Sequence, residues 1–169
     1  MPNVTSTVIV PVNPATAFAV AQTTGEVRLR WDPFIRRQYF LGGATAPAVG
    51  VQTYTRHRWG LGMVSEYVSY APPTNVGMKM VRGPWFFSQL AGGWRFAPTD
   101  GGTKATWKYS FHCRPTWLAP LAEAIGRRLL QRDIDRRIAE FARGCRDEGV
   151  LASVRDGGAK PPEMGDHAR

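Results

Sequence analysis

The chain is poor in acidic residues and in cysteine, and it has no long apolar run. Its 169 residues contain 13 Asp and Glu against 22 Lys and Arg, with two Cys and three His. No stretch reaches the roughly 18 consecutive apolar residues that a membrane-spanning helix needs. The first residues also lack the basic and apolar pattern of a secretion signal. We therefore expect a cytoplasmic protein with no transmembrane segment, folded as one domain without disulfide staples.

The few cysteines and histidines lie too far apart to form a recognisable site. Cys113 precedes a long helical pattern and Cys145 lies near its far end, so tens of Å of helix separate them and both are expected to be reduced. His57, His112 and His167 are scattered, which predicts no metal site. Neither a phosphate-binding glycine loop nor a nucleophile elbow occurs, so the sequence predicts no cofactor of those kinds.

The shortage of acid leaves a net charge of +9, most of it on the first part of the chain. Residues 1–113 hold 11 Lys and Arg against 4 Asp and Glu. The basic residues occur as dispersed pairs such as Arg36 and Arg37, which favours a generic basic surface over a specific nucleic-acid partner. A membrane-associated or surface-acting protein that uses basic sheet edges is a third functional class, and its binding should weaken steeply with salt.

The longest regular pattern is a single helix predicted over Pro120–Glu148. Pro120 suits a first helical position and Gly149 offers a stop. A helix of this length runs about 40 Å, so only a curved sheet can cover it. Residues 1–150 are thus expected to form the domain, and residues 151–169 a disordered polar tail. The apolar residues at steps of three and four are Leu121, Ile125, Leu129, Leu130, Ile134, Ile138, Phe141 and Cys145.

Most of the remaining chain predicts antiparallel strands. Two short helices, near residues 14–22 and 26–30, follow the first strand, and short connections between the later strands require antiparallel neighbours. Gly92-Gly93 predicts a bulge or a bend. The fold class is therefore α+β, with a seven-stranded curved antiparallel sheet wrapped around the C-terminal helix. The strands are predicted near residues 4–12, 34–41, 49–59, 61–71, 76–83, 86–97 and 103–113.

Several stretches carry a resemblance to a known superfamily, namely Pro14-Ala15-Thr16-Ala17-Phe18-Ala19, Trp31-Asp32-Pro33-Phe34, Pro72-Pro73 and Gly102-Thr103-Lys104-Ala105-Thr106-Trp107. In order and spacing they resemble the helix-grip fold of the START and Bet v1-like (SRPBCC) superfamily over residues 4–148, and most closely its bacterial polyketide cyclase or dehydrase-like branch. The resemblance implies a deep cavity between sheet and helix for an apolar or amphipathic small molecule. The members of the superfamily share no invariant catalytic motif, so the fold alone leaves the function open.

Large apolar side chains on the inner sheet face are the candidates for ligand contact. They would equally fill a core, since aromatic residues on a dry strand face usually pack there. Tyr109 is the best placed, because its buried phenol needs a partner, which a ligand carbonyl, a backbone carbonyl or a water could supply. The ligand-binding candidates are Trp31, Phe34, Tyr67, Met78, Met80, Trp94, Phe96, Trp107, Tyr109, Phe111, Leu121 and Ile125.

Two functions fit these residues. The first is binding of a hydrophobic or polycyclic small molecule such as a lipid, quinone or polyketide, with a homodimer left open. The alternative is a polyketide cyclase or dehydrase in which Tyr109, Glu66 and Arg82 are the catalytic candidates, with Tyr67 and Tyr54 as further polar groups for the cavity. Glu66 would be a base of raised pKa if it pointed inward, but it would pair with a neighbouring arginine if it pointed outward. Asp32 fits a turn residue.

Overall fold

A seven-stranded antiparallel sheet and a long helix dominate the computed structural model, which describes residues 2–115, 117 and 119–157. The strand order is β1-β7-β6-β5-β4-β3-β2, a meander closed by β1 beside β7. This architecture confirms the predicted α+β helix-grip fold. The elements are β1 (Asn3–Val10), α1 (Pro14–Ala21), α2 (Gly25–Trp31), β2 (Ile35–Phe40), β3 (Gln52–His57), β4 (Gly62–Ala71), β5 (Asn75–Arg82), β6 (Phe87–Thr99), β7 (Gly102–Cys113), α3 (Ala119–Gly144) and α4 (Glu148–Gly157).

The two adjacent glycines in β6 do not form the predicted bulge. Gly92 pairs with Tyr109 and Gly93 with Lys108 in unbroken register. A Cβ on Gly92 would collide with the ring of Tyr109, and one on Gly93 would collide with the carbonyl oxygen of Val76. Close packing on the strand therefore accounts for both glycines, and the register contains no bulge at them.

Helix α3 packs on the strands at one side of the sheet. It contacts β1 and β7, and the side chain of Gln131 donates to the carbonyl oxygen of Thr5 at 3.1 Å. Its buried stripe contains Ile134, Ile138 and Phe141, which meet the aromatic residues of β6 and β7. Much of the apolar core therefore lies under the C-terminal half of α3.

The far end of the long helix differs from the prediction. Helix α3 ends at Gly144, and α4 begins at Glu148 with Asp147 as its cap, since the Asp147 carboxylate accepts from the Val150 N–H at 2.9 Å. Gly149 lies in the first turn of α4 and is not a stop. Residues 151–157 are accordingly helical, contrary to the expected tail, and the rest of that tail lies outside the described residues.

The near end of α3 also differs, because its first apolar residues face outward. Leu121, Ile125 and Leu129 are 62%, 52% and 57% exposed. Ile125 precedes the buried Ile134 by nine residues, which at about 100° per residue is half a turn out of phase. The expectation that these residues face the sheet was therefore wrong.

Two expectations about composition can be compared with the described residues. Cys113 and Cys145 are both buried and free, as predicted for reduced thiols. None of the helices within residues 2–157 that the structure describes is long and apolar enough to cross a membrane.

Candidate functional site

The inner face of the sheet is set by alternation in β7 and carried across the neighbouring strands by register. Tyr109 lies opposite Gly92 on β6, Gly92 opposite Met78 on β5, and Met78 opposite Tyr67 on β4. Directly opposed residues of antiparallel strands share a face, so these four form one row across the inner surface. The burial pattern along β7, in which Ala105, Trp107, Phe111 and Cys113 are buried and Lys104 and Lys108 exposed, confirms the predicted alternation.

A cluster of three charged side chains lies above this row. Asp32 is fully buried, and Arg28 and Arg137 are each 6% exposed. Arg28 donates to Asp32 through Nε at 3.0 Å, while Arg137 donates through Nε at 3.1 Å and Nη2 at 2.7 Å, one to each carboxylate oxygen. Two guanidinium groups thus share one carboxylate, and the buried cluster carries one net positive charge.

Local sequence explains how α2 provides half of the cluster. Arg28 and Asp32 are four residues apart, so one helical turn brings their side chains together. Pro33 prevents the helix from continuing through Asp32, whose carboxylate then accepts the N–H of Phe34 at 3.1 Å. Asp32 is therefore a turn residue, as predicted, and at the same time the centre of a buried ionic group.

The third charge reaches the cluster from α3, 105 residues along the chain from Asp32. The guanidinium carbon of Arg137 lies 4.2 Å from the ring centroid of Phe34 and 4.2 Å from that of Trp107. Aromatic faces attract cations, and the attraction is stronger where water is excluded. The two rings thus stabilise the positive charge that Asp32 alone cannot balance.

Tyr109 connects the cluster to the inner face of the sheet. Its phenol oxygen accepts a hydrogen bond from Arg137 Nη1 at 2.6 Å. Burial raises the pKa of Tyr109, although the Arg137 charge partly opposes this, so the phenol keeps its proton at neutral pH. Within the described part of the chain that proton has no acceptor. Tyr109 can therefore donate it to a bound molecule.

The protonation state of Asp32 follows from two opposing effects. Burial alone would raise the pKa of this carboxyl, but the charges and hydrogen bonds of Arg137 and Arg28 lower it by more, and the net shift is downward. Asp32 is therefore ionised at neutral pH. Because its carboxylate oxygens accept hydrogen bonds from Arg28 and Arg137, its role is to position these two arginines. Nearby, burial raises the pKa of Tyr67 to about 12, and its hydroxyl donates to Gln22 Oε1 at 3.4 Å.

The apolar surface on either side of the cluster differs in burial. On one side Trp94 stacks between Phe96 and Trp107, with ring centroids 5.6 Å and 4.1 Å away, and all three are buried. On the other side of the cluster, the next inward-facing row of the sheet after the Tyr109 row contains Met80 and Leu90. Both of these side chains are only half-buried. The inner face is thus filled by core at one end and only partly covered at the other.

The predicted ligand residues divide accordingly. Trp31, Trp94, Phe96 and Trp107 belong to the buried core, whereas Leu121 and Ile125 are exposed on the outer face of α3. Phe34 packs on Arg137, and the remaining candidates lie on the inner sheet face. Ligand contact stays a prediction for all of them. The inner-face candidates are Tyr67, Met78, Met80, Tyr109 and Phe111.

Of the catalytic candidates, only Tyr109 lies at the cluster. Glu66 accepts from Lys79 at 3.1 Å and Gln52 at 3.3 Å, and the hydrogen bond from Lys79 lowers its pKa, the opposite of a raised-pKa base. Its partner is a lysine and not the expected arginine. Arg82 is exposed, and the Tyr54 ring packs against Tyr39. Within residues 2–157 that the structure describes, no group of three metal-ligating side chains occurs.

Sequence reasoning missed the ionic cluster itself. One signal in the sequence was the position of Arg137 on the apolar stripe of α3. Arg137 follows Ile134 by three residues and precedes Phe141 by four, and all three are buried. A charged residue is almost never buried without a partner. That position predicts a buried counter-ion, although it cannot say which acid provides it.

The chain belongs to the family described as polyketide cyclase / dehydrase and lipid transport, whose model matches residues 1–146. Similar solved structures include a START superfamily protein from Mycobacterium smegmatis, with 14% identity and a TM-score of 0.63 over 82% of this chain and 97% of that one. Ara h 8.0201 is similar with 16% identity and a TM-score of 0.64, over 90% and 98% of the two chains.

A third similar structure belongs to a protein of a biosynthetic pathway. The di-domain ARO/CYC protein StfQ of the steffimycin biosynthetic pathway is 17% identical with a TM-score of 0.66, and the match covers 92% of this chain and 52% of StfQ. No curated protein sequence matches the chain. Identities this low show the fold alone, and together with the family match they confirm the START and Bet v1-like resemblance.

Proposed function

We propose that the protein binds a hydrophobic or polycyclic small molecule, such as a lipid, quinone or polyketide, between the inner sheet face and α3. The observation that carries this proposal is the phenol of Tyr109, held by Arg137 beside an apolar surface of which Met80 and Leu90 are only half-buried. Binding sites for small molecules combine an apolar wall with a few fixed polar groups. The inner face provides both.

The charges of the cluster narrow the chemistry of the ligand. Asp32 neutralises only one of the two arginines, so the cluster keeps a positive charge next to the Tyr109 hydroxyl. A positive potential and an O–H donor together favour an acceptor oxygen that carries partial or full negative charge. We expect an apolar molecule with a carbonyl, enol or carboxylate group.

Native mass spectrometry of the full-length protein, followed by extraction and identification of any adduct, tests the proposal directly. A fluorescent dansyl-labelled fatty acid then serves as a titration probe. Leu90→Trp should fill the half-buried region and weaken probe binding about tenfold or more, whereas Gln89→Trp, on the exposed neighbouring residue, is the matched control. Equal probe affinity in the two variants would refute binding at this face.

A second candidate function is supported by the geometry of Tyr109. A cyclase or dehydrase must polarise a carbonyl, and a phenol whose oxygen already accepts from a guanidinium is a suitable donor. Asp32 holds both arginines and is not free to act as a base. An enzyme should lose turnover of a poly-β-keto substrate in Tyr109→Phe while it keeps substrate binding. Retained turnover in that variant would exclude this role.

A cytoplasmic location, a homodimer and the lack of a specific nucleic-acid partner stay predictions. Light scattering after size-exclusion chromatography tests the oligomeric state. Binding of the dansyl probe should change little between about 50 mM and about 500 mM salt, because a pocket excludes the mobile ions that screen exposed charges.

A further inference from the structure

Three connections at one end of the sheet each expose a tryptophan to solvent. Trp59 lies between β3 and β4, Trp85 between β5 and β6, and Trp117 between β7 and α3. They are 79%, 77% and 77% exposed. Strands β3, β5 and β7 run in the same direction in this antiparallel sheet, so all three connections leave it at the same end.

An exposed arginine precedes each of these tryptophans by one to three residues. Arg58, Arg82 and Arg114 are all exposed, and none of them pairs with a carboxylate of the described residues. The sequence from His57 to Leu61, from Arg82 to Phe87 and from Arg114 to Trp117 contains no acidic residue. We call the three tryptophans and three arginines the tryptophan rim.

The opposite end of the sheet has a different composition. The connections there span residues 41–51, 72–74 and 100–101. They contain no tryptophan and no arginine, and the only charged residue among them is Asp100. The chain's other tryptophans, Trp31, Trp94 and Trp107, are buried. The concentration of exposed tryptophan and arginine at one end is therefore a local feature and not a general property of the surface.

We propose that the tryptophan rim docks on the surface of an anionic lipid bilayer. Tryptophan is enriched at membrane interfaces because its ring is apolar and its N–H is polar, and arginine is drawn to anionic lipid headgroups. A fluid bilayer accepts side chains from three separate loops without a matched pocket for each. The proposal goes beyond ligand binding, since it requires no molecule at the Tyr109 site.

Neighbouring apolar side chains support a bilayer over a nucleic acid. Leu61, two residues after Trp59, is 47% exposed, and Leu121, four residues after Trp117, is 62% exposed. Leucine offers nothing to a phosphate backbone, but it gains free energy when it enters the apolar part of an interface. The rim therefore combines positive charge with apolar surface, as an anionic bilayer requires.

Vesicle co-sedimentation of the full-length protein tests the proposal. The vesicles are phosphatidylcholine alone or a mixture with about 30% phosphatidylglycerol. One variant carries Arg58→Gln, Arg82→Gln and Arg114→Gln, and should bind the anionic vesicles about 100-fold more weakly, because each arginine near an anionic surface contributes roughly fivefold. A second variant, Trp59→Ser with Trp85→Ser and Trp117→Ser, should lose about tenfold or more.

The control is Val49→Ser with Val68→Ser, which removes exposed apolar residues elsewhere and should leave binding unchanged. Brominated lipid should quench only the rim tryptophans, since the other three are buried. Leu90→Trp should keep vesicle binding even where it abolishes ligand binding, which separates the two proposals. Circular dichroism checks that each variant is folded.

Three results with vesicles would overturn the proposal. They are an absence of binding to anionic vesicles, equal binding to neutral and anionic vesicles, and unchanged vesicle binding of the tryptophan variant. Preferential binding of RNA that depends on the arginines and not on the tryptophans would identify a different partner and also overturn it.

Discussion

Replacing Asp32 with asparagine should be among the most destabilising single substitutions in this fold. The carboxylate accepts hydrogen bonds from both buried arginines and from the Phe34 N–H. Asparagine keeps the size but removes the charge, so two guanidinium groups stay buried about 3 Å from a neutral amide. The NH₂ group of the asparagine side chain would also place N–H donors against the arginine and backbone N–H groups, which need an acceptor.

The expected loss is about 3–5 kcal/mol, the usual effect of leaving a buried charge without its partner. A protein of this kind has about 5–15 kcal/mol of total stability. With a urea slope of about 2 kcal/mol per molar, the unfolding midpoint should fall by roughly 1.5–2.5 M. Urea unfolding followed by circular dichroism measures this shift. The control Asp100→Asn, in an exposed turn, should change the free energy of unfolding by less than about 0.5 kcal/mol.

The pH dependence provides an independent check on the same residue. The folded pKa of Asp32 lies below its ordinary value of 3.8. Its contribution is therefore fully present above about pH 4 and is lost as the pH falls through the lowered folded value. Asp32→Asn should remove that part of the acid-side slope. An Asp32→Asn midpoint within about 0.3 M of wild type, with an unchanged acid slope, would refute the ionic cluster.

Other residues yield shorter predictions. Burial raises the pKa of Tyr67 to about 12 from 10.0, so the fold should lose about 2 kcal/mol as the pH rises from 10 to 12; Tyr67→Phe should flatten this decline in urea titrations, and an equal slope would contradict it. Burial also raises the pKa of Cys145 to about 12 and that of Cys113, so neither thiol should react with a disulfide reagent near pH 8 until the protein unfolds, and rapid native labelling would contradict this. Gly92→Ala should cost about 1–3 kcal/mol, because its Cβ collides with the Tyr109 ring, and an unaltered urea midpoint would argue against that packing.

The strands could be predicted well because their signals are local. In β7 the alternation from Lys104 to Cys113 separates wet and dry faces without any knowledge of the neighbours. Turn residues then bound each strand, and a short turn such as Asp100-Gly101 leaves only an antiparallel neighbour. The bulge predicted at the glycines of β6 was wrong because the reason for Gly92, the ring of Tyr109, lies on another strand.

The helix was harder to predict because its phase must be followed over many turns. Ile125 and Ile134 both fit steps of three and four, yet they lie on opposite faces once the angle is summed. The glycine at position 144, where the helix ends, has a tertiary explanation, since a Cβ there would approach Trp31 to within 2.9 Å. The spacing of apolar residues along the sequence shows neither the change of face nor the contact with Trp31.

The ionic cluster depends on contacts between α2 and α3 that no local pattern records, and its presence bears on function. A buried ion pair is often no more stable than apolar residues of the same volume, because desolvation offsets the attraction. This chain already has a large aromatic core, so Arg28, Asp32 and Arg137 are not needed to fill space. What apolar residues cannot provide is a fixed positive charge behind the Tyr109 hydroxyl. We propose that this cluster, which costs desolvation energy and holds the Tyr109 hydroxyl, serves the recognition of a polar group on an otherwise apolar molecule.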